Sequence, residues 1–357
     1  MPEALNLFSP LQLREVILRN RISVSPMCEY SSEDGFANDW HMVHLGSRAV
    51  GGAGMVITEA TAVVPEGRIS PHDLGIWKDE HIDLLLNITN FIQAEGAVPG
   101  IQLAHAGRKA STRRPWEGYG IATPEDGGWT RVVAPSAIPF SETYLTPVAL
   151  TVEEIAEVVA AFRAAAVRSL KAGFQIIELH GAHGYLMHQF LSPLSNHRTD
   201  SYGGSFENRT RIVREIVTAT REVWPDDLPL ALRLSASDWV EGGWSIAETV
   251  QLAKDVQALG VDLVDCSSGG AVLGAQIPVG PGYQVPFAKA VHEAGVLSAA
   301  VGMITEPAQA NDIIVNGEAD VVMLARELLR DPYWPLHAAK ALGIDVAWPD
   351  QYVRAKL

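Results

Sequence analysis

The densest grouping of side chains able to do chemistry is His180-Gly181-Ala182-His183-Gly184-Tyr185. Two imidazoles at this spacing could ligate a metal, but two histidines do not complete a site. They fit better as neutral N–H donors to one substrate oxygen, with the Tyr185 hydroxyl beside them as a proton source. Histidines satisfied by loop backbone are the plainer alternative. Glu178 lies on the same strand and points the same way as His180 if side chains alternate there. His41 and His44 repeat the His-x-x-His spacing on a stretch that reads as helix. Neither pair has the further Asp, Glu or Cys company of a metal enzyme, so no metal is expected.

Gly302 and Arg326 suggest a phosphate cradle: a small residue lets backbone N–H groups approach, and an arginine supplies a bidentate charge. Gln102 and Arg233 read as polar residues inside a barrel. A buried arginine needs an acceptor, and a buried glutamine needs both kinds of partner. An internal ion pair of Arg233 with Asp238 or Glu178 would meet that need. So would a planar heterocycle with a mixed donor and acceptor edge, such as a flavin. Cys28 is a further candidate, although a lone cysteine is more often a buried structural thiol.

Those residues need elements to carry them. Strand-like runs fall at 22–25, 55–58, 98–103, 176–179, 230–234, 263–266, 297–301 and 321–324. Helical stretches separate them, at 40–50, 81–95, 151–173, 208–223, 245–259, 285–293, 307–315 and 335–342. Thr151 with Glu154 three residues on is a capping box that opens one of these helices. Alternating strands and helices imply parallel pairing and a (β/α)8 barrel, whose active site lies at the carboxyl ends of the strands. An open doubly wound sheet would be favoured by Gly-x-Gly-x-x-Gly after the first strand, and the chain has none. Residues 104–150 carry little helical pattern and are too long for an ordinary loop, so they are expected to form a lid or rim over the site.

The chain has 357 residues, and 42 acidic against 27 basic residues give a net charge of −15. That balance argues against nucleic acid as a partner. Two cysteines, Cys28 and Cys266, cannot supply a disulfide framework, a four-cysteine metal site or an iron–sulfur cluster. Met1-Pro2-Glu3-Ala4 carries no basic and apolar leader, and no apolar run suits a membrane span, so a cytoplasmic protein is expected.

Four motifs then carry a resemblance: Ser25-Pro26-Met27-Cys28-x-Tyr30; Gln102-Leu103-x-His105-x-Gly107-Arg108-Lys109; His180-Gly181-Ala182-His183-Gly184-Tyr185-Leu186; and Asn196-His197-Arg198-Thr199-Asp200-x-Tyr202-Gly203-Gly204-Ser205. Together they resemble the old yellow enzyme flavoproteins, in particular the thermophilic-like branch that includes xenobiotic reductases. The resemblance implies one FMN-binding TIM barrel over 1–357, with the 104–150 insertion and a tail at 344–357. It implies reduction of activated C=C bonds in unsaturated carbonyl or nitro compounds, with NADPH (or NADH) as donor. Pro26, Met27, Cys28, Ala60, Gln102 and Arg233 would contact the flavin ring, and Ser268, Gly269 and Gly270 would pass near it. Gly302, Ala325 and Arg326 would meet its phosphate. His180 and His183 would bind the substrate oxygen, Tyr185 would deliver the proton, and Tyr30 and Cys28 would line the pocket, with Cys28 tuning the flavin. The branch also implies a homodimer or homotetramer whose tail reaches a neighbouring site. Arg354 could be the arginine that does so, although no tryptophan follows it. Glu29 is a charged departure between Cys28 and Tyr30. Two other readings remain at this point: a flavin-binding redox sensor or carrier acting through Cys28, and a metal-dependent barrel hydrolase.

Overall fold

The computed structural model describes residues 4–118 and 120–356. Met1, Pro2 and Glu3 at the start of the chain, whose composition bore on a leader, and Leu357 in the tail lie outside the described residues. Eight parallel strands close into a barrel: β1 (Ile22–Val24), β2 (Met55–Ala62), β3 (Val98–Ala104), β4 (Ile176–Gly181), β5 (Leu230–Ser235), β6 (Leu263–Ser267), β7 (Ser298–Val301) and β8 (Val321–Leu324). Neighbours in sequence are neighbours in space, and β8 pairs with β1 through Leu324 and Val24. Every residue of these strands is buried, as parallel strands covered on both faces must be. The barrel expected from the alternation of elements is therefore present.

The helices outside it are α1 (Asp39–Val50), α2 (Ile82–Ala94), α3 (Val152–Lys171), α4 (Leu186–Leu191), α5 (Phe206–Arg209), α6 (Arg211–Arg221), α7 (Ile246–Gln257), α8 (Val285–Glu293), α9 (Pro307–Val315), α10 (Arg326–Arg330) and α11 (Trp334–Ala341). The Thr151 and Glu154 capping box opens α3 as expected. The single helix expected over 208–223 is instead two, broken at Thr210, whose hydroxyl bonds back to the Phe206 carbonyl. The short α4 was not visible as periodicity, because all six of its residues are buried and no polar face marks it.

The barrel interior has two halves. Its amino-terminal half is apolar: Met55, Ile57, Val98, Ile176, Ala231, Leu263, Ala299, Val321 and Met323 form one cluster. An antiparallel hairpin of Leu11–Leu13 and Val16–Leu18 closes that end, burying Leu13, Val16 and Leu18 against the cluster. Arg14 at its turn is held by Asp262 at 2.7 Å. The carboxyl-terminal half is polar, with Gln102, Glu178, His180, Arg233, Asp265 and Ser267 all buried.

Residues 104–150 form the long connection expected after β3. It holds three single-turn 3-10 helices and a two-residue parallel strand pair, Val133–Ala134 with Val148–Ala149. Ser111 ties it internally, donating to the Trp129 carbonyl at 2.7 Å and accepting from its N–H at 2.9 Å. Arg198 anchors it from outside by donating to the carbonyls of Pro135 and Leu150. The Asn196–Ser205 motif is thus architectural: Asn196 bridges the carbonyls of Phe190 and Tyr202 and positions Arg198.

Candidate active site

The turn after β4 is where the chemistry gathers. The His180 and His183 rings stand edge to face with centroids 5.2 Å apart, and the Tyr185 ring is 5.0 Å from His180. His183 adopts the left-handed region, φ 59°, which an L-residue enters only when its surroundings fix it there. The surroundings do so. Ser235 Oγ accepts from the His183 N–H at 2.9 Å, and Lys109 Nζ donates to the His183 carbonyl at 2.8 Å. The same ammonium donates to the Gly270 carbonyl at 2.6 Å, so Lys109 clamps the loops after β4 and β6 together. Gly270 must be glycine: its φ is 91°, and a Cβ there would lie 2.6 Å from the His183 carbonyl carbon. Below the turn, Gly184 donates its N–H to His188 Nδ1 at 2.8 Å. His188 Nε2 in turn donates to the fully buried Asp238 at 2.9 Å.

The electrostatics make this a neutral donor site. Burial, reinforced by the Arg233 charge, pushes both His180 and His183 well below the ordinary imidazole range. His180 Nδ1 receives the Ala182 N–H at 3.4 Å, which leaves its proton on Nε2. Burial pushes the Tyr185 hydroxyl well above the usual phenol range, so it is held protonated. Burial and the neighbouring Arg108 lower Lys109 to about 7.

The remaining expected site residues converge on the same mouth. Pro26, Met27, Cys28 and Tyr30 follow β1, and Tyr30 is also left-handed, φ 50°. Cys28, Tyr30 and Tyr185 pack with Ala60, Ile69, Ala104 and the insertion residues Trp129 and Leu145 in one apolar cluster. Trp116 meets the Tyr30 ring edge to face at 5.8 Å. The insertion thus contributes Trp129 and Leu145 to this cluster and Trp116 to the Tyr30 ring. Ala60 faces this pocket because β2 carries a bulge between Ile57 and Ala60. The bulge sends the adjacent Glu59 the other way, onto His41 at 3.0 Å.

Deeper in the barrel, Gln102 donates to Glu178 at 2.8 Å, which confirms that Glu178 faces inward like His180. Arg233 does not pair with Asp238 or Glu178, as its chemistry had allowed. Its Nε lies 2.8 Å from Asp265 on the neighbouring strand, directly across the Arg233–Asp265 register, whereas Asp238 is taken by His188. Glu178 and Asp265 are both raised from the ordinary carboxylate range, chiefly by burial.

Ser268, Gly269 and Gly270 leave β6, and Gly269 accepts from Ser235 Oγ at 2.8 Å. Gly302, φ 120°, follows β7, while Ala325 follows β8 and Arg326 begins α10. Arg354 is different. It sits exposed in the turn Asp350–Ala355, held near Tyr333 through Tyr352, and no contact joins it to the imidazole cluster.

These residues fit a flavin mononucleotide. The Arg233 Nε–H is aimed poorly at Asp265 and counts as an unsatisfied buried donor, and Glu178 Oε2 is an unsatisfied acceptor beside it. Arg326 has no carboxylate partner among the described residues, in a chain with 42 acidic side chains. An open donor and open acceptors on Glu178 and Asp265 at the barrel centre, with the Arg326 guanidinium and a left-handed glycine at the rim, match a ring and its phosphate. Among the described residues no group of three or more His, Cys, Asp or Glu could hold a metal ion. No described helix is long and apolar enough to cross a membrane.

Sequence reasoning missed Lys109 as a clamp, Ser235, Ser267, Asp265 and the His188–Asp238 pair. Each acts on a partner distant in sequence, so no local spacing announces it.

Comparison with known proteins gives a consistent result. The family described as NADH:flavin oxidoreductase / NADH oxidase matches residues 6–344. A protein named NADPH dehydrogenase from Halalkalibacterium halodurans is 51% identical over 354 residues, covering 98% of this chain and 99% of that one. Another of that name from Geobacillus sp. is 52% identical over 351 residues, covering 98% of each. Among solved structures, morphinone reductase is similar with a TM-score of 0.80 at 27% identity, over 98% of this chain and 92% of that one. A 2-naphthoyl-CoA reductase complex reaches a TM-score of 0.84 at 27% identity, over 95% of this chain but 52% of that longer one.

Proposed function

Because this chain belongs to the NADH:flavin oxidoreductase / NADH oxidase family, that of the old yellow enzymes, we propose that its pocket reduces the activated C=C bond of α,β-unsaturated carbonyl or nitro compounds. It is an oxidoreductase whose cofactor is FMN and whose electron donor is a nicotinamide dinucleotide. NADPH is the donor on this reading, in keeping with the relatives' name. The observation that carries the substrate class is the neutral imidazole pair beside a protonated tyrosine in an apolar pocket.

Pro26, Met27, Cys28, Ala60, Gln102 and Arg233 would hold the ring of FMN. Ser268, Gly269, Gly270, Gly302, Ala325 and Arg326 would hold the rest, with Arg326 on the phosphate. FMN, when bound, supplies a hydride that originates in the nicotinamide. The residues do the remainder. His180 and His183 grip the substrate's carbonyl or nitro oxygen and thereby orient its double bond. Negative charge grows on that oxygen as the β-carbon is reduced, and the two N–H groups are already in place to meet it. A single preplaced donor of this kind lowers the barrier by about 3–4 kcal/mol. Both rings resist protonation, so they act as donors without becoming acids. Tyr185 gives its hydroxyl proton to the α-carbon. Tyr30, Cys28, Trp116 and Leu145 wall the alkene away from water. The same reading makes the protein a cytoplasmic homo-oligomer whose exposed Arg354 reaches a neighbouring pocket, which sedimentation and an Arg354→Ala comparison would test.

The decisive experiment supplies NADPH and a cyclic enone anaerobically and follows both. Stoichiometric loss of the alkene with NADPH supports the proposal. NADPH oxidation by oxygen alone, with the enone untouched, would overturn it in favour of a flavin redox carrier.

A further inference from the structure

We propose that Ser267 is a positioning residue that sets the tautomer of His183, donating its hydroxyl proton to Nε2 so that the Nδ1 proton faces the substrate oxygen. The inference rests on the reading above, in which the imidazole pair holds that oxygen. Ser267 ends β6, and its Oγ lies 2.7 Å from His183 Nε2. Its other polar neighbour is Gln284 Oε1 at 3.5 Å, the outer limit of a hydrogen bond. Gln284 is itself fixed: its Nε2 donates to the Val301 carbonyl at 3.0 Å, and its Oε1 already takes the Ser268 hydroxyl at 2.6 Å. The Ser267 proton therefore has one short acceptor, the imidazole.

The His183 ring has little freedom to choose otherwise. Its main chain is held left-handed between Ser235 and Lys109. Turning the ring over would put a carbon against Ser267 Oγ. With one proton to place and Nε2 accepting, the proton resides on Nδ1, which has no hydrogen-bond partner among the described residues. The opposite tautomer would aim a lone pair at the substrate's oxygen, and the two would repel. His180 solves the same problem differently: the Ala182 N–H occupies its Nδ1 and leaves the proton on Nε2. The pair thus grips one oxygen with different ring nitrogens, one set by the backbone and the other by a serine on a neighbouring strand.

Heteronuclear NMR of FMN-loaded protein carrying isotope-labelled histidine reads the tautomer directly. In wild type the His183 proton should reside on Nδ1, and in Ser267→Ala it should shift to Nε2 in a large share of molecules. Enone turnover should fall about tenfold, the size of one net hydrogen bond. The loss in the NADPH half-reaction should be smaller, because no oxyanion develops there. Ser267→Thr keeps the hydroxyl and should restore both tautomer and rate. A wild-type proton on Nε2, or an unchanged tautomer in Ser267→Ala, overturns the proposal. If the tautomer behaves as stated but enone turnover ignores both Ser267→Ala and His183→Ala, the serine lock stands and the oxygen-binding reading falls.

Discussion

The chain carries the His-x-x-His spacing twice, and the two copies ended in opposite environments. His180 and His183 leave a barrel strand, face the polar half of the interior and pair with no carboxylate. His41 and His44 sit on α1 behind the pocket, and each meets one: His41 on Glu59 at 3.0 Å, His44 on Glu29 at 3.4 Å. Trp40 also donates to Glu29 at 2.9 Å, so the charged departure beside Cys28 is absorbed by the helix. Spacing alone therefore says little about a histidine pair. What decides is whether the ring nitrogens are already spoken for by the protein. At α1, both His41 nitrogens are taken, by Asn38 and Glu59, and His44 Nε2 lies against Glu29, so the pair is structural. After β4, His180 Nε2 and, in the tautomer proposed above, His183 Nδ1 have no acceptor among the described residues, and that is what a substrate oxygen can use.

The sharpest way to break this contrast is to remove each pair. Replacing His180 and His183 together by alanine should reduce enone turnover by roughly 10³-fold or more, since one such donor alone contributes 10²–10³. Rapid mixing of reduced enzyme with enone measures it, and an equal loss in the NADPH half-reaction would assign the pair to the flavin or the fold. His41→Ala should do the reverse. It leaves buried Glu59 with only the Glu29 N–H to meet it and should cost about 3–5 kcal/mol of stability in urea unfolding, with enone chemistry per folded molecule little changed. A collapse of turnover at full stability would erase the distinction between the two pairs.

Tyr185→Phe keeps the ring and removes the proton donor. Enone reduction should slow by roughly 10²-fold, the low end for general acid catalysis. Reoxidation by oxygen should change little, and a nitroalkene should suffer less, because its product anion can leave and take a proton from water. A variant equal to wild type with a cyclic enone would remove Tyr185 from the mechanism.

The smallest effect is shared by both regions. His180, His183 and His44 all have depressed affinity for protons in the fold, the last to about 3, chiefly through burial. The unfolded chain binds protons at these histidines below about pH 6.5 while the folded chain does not, so stability is full above that pH and falls as pH drops below it. At pH 5 the loss should be about 2 kcal/mol for each histidine that stays neutral. Urea unfolding at pH 7 and pH 5 measures it, and His44→Gln should remove one share. A stability that rises on acidification would contradict the buried neutral rings.

Much of the fold was legible in the sequence. Glycine-stopped helices and β-branched runs gave the barrel, since period and punctuation are local properties. The length of 104–150 after β3 marked it as more than an ordinary loop, and its Trp129 and Leu145 pack with Tyr30 and Tyr185. The residues meant for the flavin did converge on one mouth because a barrel brings the carboxyl ends of all its strands together. What stayed hidden had no local signature: α4, buried all round, and the amino-terminal hairpin, whose two strands are three residues each.

By itself, the sequence determined the architecture, the identity of the reactive groups and the strand end from which each would project, because these follow from periodicity and from the covalent chemistry of the side chains. The tertiary structure alone decided which partner each polar group took. Gln102 found Glu178 across a strand pair, Lys109 found two carbonyls on different loops, and Ser267 found His183 across 84 positions of chain. The reason is physical: a buried polar group must be paired, the partner that wins is the one within about 3 Å, and proximity between distant residues exists only once the barrel has closed.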